Sequence, residues 1–359
     1  MTTNLYDDKQ QRWLYHDLLA AYYKARQNKR NTINQLQFEA NLEANIYQLY
    51  LELKNRCYHL SPSIAFVIFE PKPREIFAAT FRDRIVHHLI YTYISPYWEK
   101  RFIYDSYSCR QNKGTRFGAR RMFSFLRSVT HNYSTEAWVM KLDISGYFMN
   151  MDKSLMWQFN KRILFDDNAH LPEAVKELLW YLLPIVIFAD PTQTAIIKGS
   201  LQDWNFLPAN KSLFLTEVGF GFPIGNLTSQ LFSNIYLHEL DIFIKQKLHI
   251  QYYGRYVDDF VLMHRFKNAL LSARESIANF LKNHLHLNLH PGKVYLQPAK
   301  FGLPFIGVWI KPRLFVPGKR VKRQFARFLY LSIYCHQDFS WSTRWQSYCG
   351  HLRSYCLAN

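Results

Sequence analysis

The sequence is short of acidic residues relative to basic ones. Its 27 Asp and Glu stand against 45 Lys and Arg, which gives a net charge of +18. Because like charges repel, such an excess does not stabilise a fold and instead predicts a polyanionic partner, either nucleic acid or an anionic membrane. An incidentally basic enzyme is the alternative on charge alone. The 48% of hydrophobic residues excludes a disordered chain.

Long apolar runs and paired cysteines are also missing. The longest apolar run, residues 178–189, is too short for a bilayer and contains Pro184, so no membrane segment is expected. Residues 1–8 are polar and lack the apolar region of a signal peptide. The five cysteines form no C-x-x-C pair, which argues against a disulfide framework and a zinc site. We therefore expect a cytoplasmic protein with reduced thiols.

Internal repeats and Gly/Ser linkers are absent, so the elements are predicted from hydrophobic spacing. The first sixty residues have helical spacing, and their basic segment 24–30 either ends a helix in solvent or holds RNA. Strands are predicted within 64–77, 138–144 and 252–263 and near 294 and 305, and helices over 82–97, 228–248 and 269–285, with Thr228 or Ser229 as the N-cap of the second helix. From residue 138 onward this order is a split β-α-β pattern. The last fifty residues are predicted to form a small helical tail.

Three aspartates fall at the ends of predicted strands. Asp143 ends one strand, and Asp258 and Asp259 lie at the tip of a hairpin, and a split β-α-β sheet sets these strands side by side. Nucleotide addition needs two divalent cations roughly 3.5–4 Å apart, and Mg²⁺ is held by a few carboxylates together with phosphate oxygens and water. Ordinary turn aspartates are the alternative. Adjacent uncompensated carboxylates within long apolar strands are costly, which favours a metal site.

The same residues resemble the motifs of reverse transcriptases. Tyr256–Asp259 (Y-V-D-D) is similar to their Y-x-D-D signature, and Lys141–Phe148 is similar to their first palm motif. The resemblance implies that Asp143, Asp258, Asp259 and the carbonyl of Ile144 bind two Mg²⁺ ions, with Mn²⁺ as a possible substitute. It also implies that Phe148 lies under the deoxyribose as a steric gate.

Further motifs follow in family order between about residues 64 and 310. Residues 71–76 (P-K-P-R-E-I) and 81–86 (F-R-D-R-I-V) resemble the fingers, and residues 287–293 and 303–307 resemble the later palm motifs. The resemblance implies that Lys72, Arg74 and Lys293 lie near the incoming triphosphate and that Phe305 and Gly307 belong to the primer grip. The implied fold is α+β, a right-hand polymerase with fingers, a palm built on a split β-α-β sheet and a small helical thumb. Residues 1–140 are the expected N-terminal helical region and fingers, 141–310 the palm with a fingers-side insertion near 155–215, and 311–359 the thumb.

One segment points to a subgroup. Most reverse transcriptases carry Q-G-x-x-x-S-P where this chain has Ile224, Gly225 and Gln230 in I-G-N-L-T-S-Q. This variant resembles the enzymes of diversity-generating retroelements, as do residues 190–192, 198–200, 203–204 and 207–208. The usual Gln reaches the nucleotide near its sugar, so the resemblance adds Ile224, Gly225 and Gln230 to the nucleotide site. A core aliphatic beside a glycine turn is the alternative for Ile224.

This resemblance implies a mutagenic RNA-directed DNA polymerase. Such enzymes copy a template-repeat RNA into cDNA with errors opposite adenines and so diversify a target gene. The implied partners are the template RNA, the RNA/cDNA duplex, deoxyribonucleoside triphosphates and a small, basic, pentameric accessory protein, in a bacterial or phage-encoded system. The expected end of the chain at the thumb leaves no room for an RNase H or endonuclease domain. A retron-like or abortive-infection defence reverse transcriptase is the alternative, and a catalytically silent RNA-binding scaffold is a third.

Overall fold

Helices and small sheets share the chain, which is seen in a computed structural model describing residues 5–27, 32–70, 72–319, 321–323, 325–326 and 330. The helices are α1 (Leu5–Arg26), α2 (Ile33–Glu39), α3 (Leu42–Lys54), α4 (Phe81–Glu99), α5 (Thr115–Val129), α6 (Lys153–Phe165), α7 (Glu173–Ile187), α8 (Leu227–Ile242) and α9 (Lys267–Leu285). The strands are β1 (Ile64–Ile68), β2 (Arg74–Ala78), β3 (Trp138–Leu142), β4 (Ile196–Ile197), β5 (Tyr252–Tyr256), β6 (Asp259–His264), β7 (Tyr295–Pro298), β8 (Leu303–Phe305), β9 (Val308–Lys311) and β10 (Leu314–Pro317). The predicted α+β class is confirmed.

The described residues divide into two compact units. The first is drawn from 1–102, 146–238 and 284–287, and the second from 103–145, 239–283 and 288–359. The boundaries expected at residues 140 and 310 stay predictions. Most of the predicted thumb, 311–359, lies outside the described residues.

The second unit is built on a four-stranded sheet with the order β5-β6-β3-β7. The pattern of hydrophobic residues explains why β3 is central: Val139, Met140 and Leu142 are all buried, so both faces of the strand are covered. Helix α5 covers this core with an apolar stripe that includes Met122, Leu126 and Val129. The predicted strands at 138–144 and 252–263 and the helix at 269–285 are confirmed. Strand β3 lies directly beside β6, as the split β-α-β pattern predicts.

The first unit combines helices with a three-stranded sheet of order β2-β1-β4. Strands β1 and β2 form an antiparallel hairpin, and β4 adds to β1 in parallel. Helix α4 begins after Thr80, whose side-chain oxygen accepts from the Asp83 backbone N–H. The apolar run at 178–189 lies mostly within α7, where six of its residues are buried and Trp180 is exposed. In the part of the chain that is described, no helix is long and apolar enough to cross a membrane.

The predicted N-cap of the helix at 228 is wrong. Helix α8 begins at Leu227, so Thr228 and Ser229 lie in its first turn. Tertiary contacts explain the difference, because the Thr228 hydroxyl bonds Nδ1 of the buried His87 at 2.9 Å. A short π-helical segment, Phe243–Lys247, follows α8, and the predicted end of the helix near 248 is confirmed.

Candidate active site

The three predicted metal-binding aspartates come together in the second unit. Strand β3 pairs with β6 through Leu142 and Phe260. One step further along this antiparallel register, Asp143 faces Asp259. Asp258 occupies the turn between β5 and β6. The topology therefore brings together three carboxylates, from the end of β3, the start of β6 and the tip of the β5–β6 hairpin.

Two of the three aspartates have a raised pKa. Burial, followed by the negative charge of Asp143 and then that of Asp259, raises the pKa of Asp258 to about 6. Burial also raises the pKa of Asp259, although the Lys141 Nζ at 2.7 Å from its Oδ2 opposes that rise. Lys293 Nζ donates to Asp143 Oδ1 at 2.7 Å. Two lysines thus partly compensate a cluster of negative charge.

The donor set fits divalent cations. Asp259 Oδ1 is buried and finds no hydrogen-bond partner among the described residues, and a buried acceptor of this kind is costly unless something binds it. Within the described ranges, no three His, Cys, Asp or Glu side chains form a closed set of ligands. Mg²⁺ takes only a few protein carboxylates and completes its shell with substrate phosphates and water.

The backbone carbonyl of Ile144 lies one residue beyond Asp143, just past the end of β3. Ile144 forms an isolated antiparallel bridge with Leu289. The hydrogen bonds of this bridge are made by its neighbours, from His290 N–H to the Asp143 carbonyl and from Ser145 N–H to the Asn288 carbonyl. The Ile144 carbonyl is therefore not used by the bridge, as expected for a non-hydrogen-bonded pair.

The turn that carries Asp258 is strained. Tyr256 pairs with Asp259, so Val257 and Asp258 form a two-residue loop, and Val257 has φ of 56°. A β-branched residue in this left-handed region costs about 1–3 kcal/mol. Below the turn, Arg255 is fully buried and bonds the Val257 carbonyl at 3.0 Å. The sequence reasoning missed Arg255 and its partner Asp241, although a charge inside the apolar pattern of β5 was the available signal.

The predicted primer-grip residues lie at the β8–β9 connection of the second unit. The ring of Phe305 is 1% exposed and packs edge-on against Tyr107. Gly307 follows in a turn with φ of 81°, a conformation that favours glycine. The ring of Phe305 is therefore buried, whereas Ile306 and Gly307 in the turn are partly exposed.

The other predicted nucleotide-binding residues lie in the first unit. Lys72 and Arg74 are exposed at the β1–β2 hairpin. Phe148 lies on a single 3₁₀ turn and, together with Ile224, packs against a buried cluster of Ala65, Phe77, Met149 and Leu213. The Ile224 carbonyl accepts from the Phe77 N–H at 3.0 Å. The structure thus brings the predicted gate and the subgroup residue to one cluster.

Gly225 and Gln230 complete the subgroup motif. Gly225 has φ of 130°, and a Cβ there would meet the Phe77 carbonyl oxygen at 3.0 Å, so both conformation and space require glycine. Gln230 is exposed on α8. The glycine therefore follows from local geometry, whereas Gln230 is open to solvent.

A buried glutamate joins the β1–β2 hairpin to residues 204–213. Glu75 on β2 is 1% exposed. Its carboxylate accepts from Trp204 Nε1 at 2.6 Å, from Ser212 Oγ at 2.8 Å and from Leu213 N–H at 2.5 Å. We call this set the Glu75 tie. It connects residues 204–213 to β2. Two residues after Glu75 on this strand, Phe77 donates its N–H to the Ile224 carbonyl.

Comparisons with known proteins identify the family of this chain. The model of the family described as reverse transcriptase (RNA-dependent DNA polymerase) matches residues 70–310, which is more than half of the chain. Protein YkfC of Escherichia coli (strain K12) is 24% identical over 315 residues, which cover 77% of this chain and 73% of that protein.

Solved telomerase structures are also similar to this chain. The apo telomerase of Candida tropicalis, truncated from its C-terminal domain, has a TM-score of 0.49 and 12% identity, covering 77% of this chain and 60% of that one. The telomerase of Candida albicans in complex with a fragment of telomeric RNA has a TM-score of 0.48 and 12% identity, covering 78% and 52%. The chain thus spans between half and two thirds of these telomerase chains.

Proposed function

The chain belongs to the reverse transcriptase (RNA-dependent DNA polymerase) family, and from this premise we propose that it copies a template-repeat RNA into error-prone cDNA, mutagenised at adenines, for diversification of a target gene. The family consists of nucleotidyltransferases, and its α+β right-hand polymerase fold agrees with the mixed sheets and helices described above. The observation that carries the polymerase activity is the convergence of Asp143, Asp258 and Asp259, with one buried carboxylate oxygen left without a partner among the described residues.

The chain's own residues account for the chemistry in the following way. Asp143, Asp258, Asp259 and the Ile144 carbonyl would hold two divalent cations, which when bound supply the positive charge for an attacking 3′-hydroxyl and a leaving pyrophosphate. Lys141 bonds Asp259 Oδ2, so Oδ1 is the oxygen of Asp259 that is left for a cation. Lys293, now on Asp143, is long enough to turn its ammonium toward a triphosphate when cations neutralise that carboxylate. Phe148 supports the sugar from below and excludes a 2′-hydroxyl.

The diversifying role rests on the Ile224–Gln230 segment. Ile224 has no side-chain donor or acceptor, so it cannot make the sugar-side hydrogen bond of the usual Gln. Its packing against the same buried cluster as Phe148 supports an influence on how a nucleotide is seated. The template RNA, the RNA/cDNA duplex, deoxyribonucleotides and a small, basic, pentameric accessory protein are the proposed partners. We place the enzyme in the cytoplasm of a bacterial or phage-infected cell.

The polymerase activity is tested by primer extension. The wild-type chain, with an RNA template, a DNA primer, deoxyribonucleotides and Mg²⁺, is expected to make cDNA, and Asp258→Asn is expected to lose nearly all of it, because one metal-binding carboxylate is removed. Removing one of three mutually repelling charges should leave the melting temperature unchanged or higher in metal-free buffer. Asp167→Asn, on an exposed turn, is the matched control and should keep wild-type synthesis. Near-normal synthesis by Asp258→Asn contradicts the assignment.

The diversifying role is tested on the same cDNA. Sequencing products made with the cognate RNA and accessory protein should show errors concentrated opposite template adenines. Errors spread evenly over the four template bases would favour the defence reverse transcriptase instead. Absence of any synthesis by a folded wild-type chain would favour the RNA-binding scaffold.

A further inference from the structure

An ion pair lies completely buried beneath the turn that carries Asp258. Arg255 on β5 and Asp241 at the end of α8 are both 0% exposed. The guanidinium binds the carboxylate in two places, from Nε to Oδ1 at 2.8 Å and from Nη2 to Oδ2 at 2.7 Å. Tyr253 also donates to Asp241 Oδ1 at 2.6 Å. A buried pair is weak support for stability, because desolvation offsets its attraction, so its presence here calls for another explanation.

The pair also holds the backbone of the turn. Arg255 Nη1 donates to the Val257 carbonyl at 3.0 Å, and Nη2 donates to Ser106 Oγ at 3.2 Å. The backbone of Arg255 is fixed as well, because its N–H donates to the Asp105 carbonyl and its carbonyl accepts from the Tyr107 N–H, both at 2.9 Å. The guanidinium is thus a fixed fork that reaches the residue directly before Asp258.

Val257 needs such a support. Its φ of 56° is unfavourable for a β-branched residue, and it persists only when the surroundings over-determine it. A charge-assisted hydrogen bond to the Val257 carbonyl opposes relaxation of the turn. Since Asp258 follows Val257 and Asp259 follows Asp258, rotation of this peptide would move both carboxylates.

We propose that Arg255, oriented by Asp241, is a positioning residue. It holds the Val257–Asp258 turn so that the carboxylates of Asp258 and Asp259 are placed for divalent cations. Neither Arg255 nor Asp241 contacts the cations themselves. The inference rests on the proposed polymerase function, but it concerns metal binding and is measurable without catalysis. The guanidinium fork is essential to it, because a lysine ammonium is a point charge that cannot grip Asp241 in two places and also reach Val257.

The test uses two variants of the full chain. Arg255→Lys keeps the buried charge but loses the fork. The double variant Arg255→Met/Asp241→Leu removes both charges together, which avoids an unpaired buried charge. Its melting temperature is measured alongside, because the Tyr253 hydroxyl loses its acceptor. In both, Mn²⁺ binding measured by electron paramagnetic resonance without nucleic acid should weaken by about 10- to 100-fold, the range found for residues that orient metal ligands. The Mg²⁺ concentration for half-maximal synthesis should rise by a similar factor, while the affinity for primer–template stays unchanged.

A stability-matched control separates positioning from general destabilisation. Tyr236→Phe removes a buried hydroxyl that donates to the Leu285 carbonyl in the first unit. It should lower the melting temperature without changing Mn²⁺ binding. Folded Arg255 variants with wild-type Mn²⁺ affinity and Mg²⁺ dependence would overturn the proposal. A wild-type chain that binds Mn²⁺ but makes no cDNA would overturn the polymerase function and leave the positioning role standing, so the two failures are distinguishable.

Discussion

At the scale of single residues, the packing of Phe148 bears on its proposed role in sugar selection. Its ring is half-buried and held by the same cluster that contacts Ile224, so it has little freedom to swing away from a bound sugar. Phe148→Ala should therefore admit ribonucleotides and lower the overall rate, because the ring that would collide with a 2′-hydroxyl is gone. The measurement is the ratio of ribonucleotide to deoxyribonucleotide incorporation. Phe165→Ala, which removes a ring that is 72% exposed, is the control and should leave the ratio unchanged.

An unchanged ratio in an active Phe148→Ala enzyme would mean that the gate lies elsewhere. A loss of folding would be detected by the melting temperature. Since Phe148 is only partly buried, we expect the variant to remain folded at assay temperature.

Ile224 carries a prediction about fidelity. One hydrogen bond contributes roughly 0.5–1.5 kcal/mol, which corresponds to about two- to tenfold in nucleotide selection. Ile224→Gln supplies a donor and an acceptor while its backbone bond to the Phe77 N–H is kept. Misincorporation opposite adenine should fall by that factor, as read by sequencing cDNA from one template with RNA and accessory protein present. Ile224→Leu, which stays apolar, should keep the wild-type spectrum.

An unchanged error spectrum in an active Ile224→Gln enzyme would mean that Ile224 contributes only to packing. The source of loose selection would then lie in neighbouring residues or in the accessory protein. The missing hydrogen bond does not explain selectivity for adenine in particular.

Residue types at strand ends made the aspartates predictable, but their supports were not. Asp143 and Asp258 stand out because carboxylates interrupt apolar strands. Asp241 lies at the end of α8 and Arg255 lies on β5. Only the folded backbone shows that they are a fully buried pair. Single-sequence patterns carry no information on such pairing between elements.

At the scale of elements, the Glu75 tie joins β2 to residues 204–213. Glu75→Gln leaves at least one of three donors without an acceptor, because a single amide oxygen replaces two carboxylate oxygens. We expect the free energy of unfolding to fall by roughly 1–3 kcal/mol. We also expect the KM for deoxyribonucleotides to rise, since Phe77 on the same strand bonds Ile224.

The measurements are denaturant unfolding and initial rates at varied nucleotide concentration. Glu173→Gln, at a glutamate whose side chain is 77% exposed, is the matched control and should change neither quantity. A Glu75→Gln variant with lower stability and unchanged KM would show that the tie supports the fold and not the nucleotide site.

Most strands and helices of the described chain could be predicted from apolar spacing, but α5, α6 and α7 were not predicted. The start of α8 could not, since Thr228 has the side chain of a good cap but bonds His87 from within the first turn. Strand β4 has only two residues, Ile196 and Ile197, and no periodicity can reveal an element of that length. Boundaries therefore depend on tertiary contacts more than on propensity.

At the scale of the whole molecule, the net charge of +18 is the property that sequence alone establishes best. It predicts a polyanionic partner, but it does not say which surface meets that partner. Helix α5 is a candidate: it carries Arg116, Arg120, Arg121 and Arg127 and no acidic residue. Its apolar face is buried in the core of the second unit, and Arg116, Arg120 and Arg127 are exposed.

We expect α5 to supply phosphate contacts to RNA. Each phosphate contact that releases a counterion adds about 0.7 to 0.9 to the slope of log affinity against log salt. Arg116→Gln/Arg120→Gln should therefore reduce the slope by about 1.4–1.8, and it should weaken binding similarly for unrelated RNA sequences, because phosphates are read and not bases. The measurement is the RNA dissociation constant between 50 and 200 mM salt, over which wild type should lose roughly a hundredfold or more in affinity if it makes at least five contacts. Arg274→Gln/Lys282→Gln on α9 removes the same charge from another exposed helix face and should leave the slope nearly unchanged. Equal reductions in both double variants would mean that net charge acts at long range without a defined α5 contact.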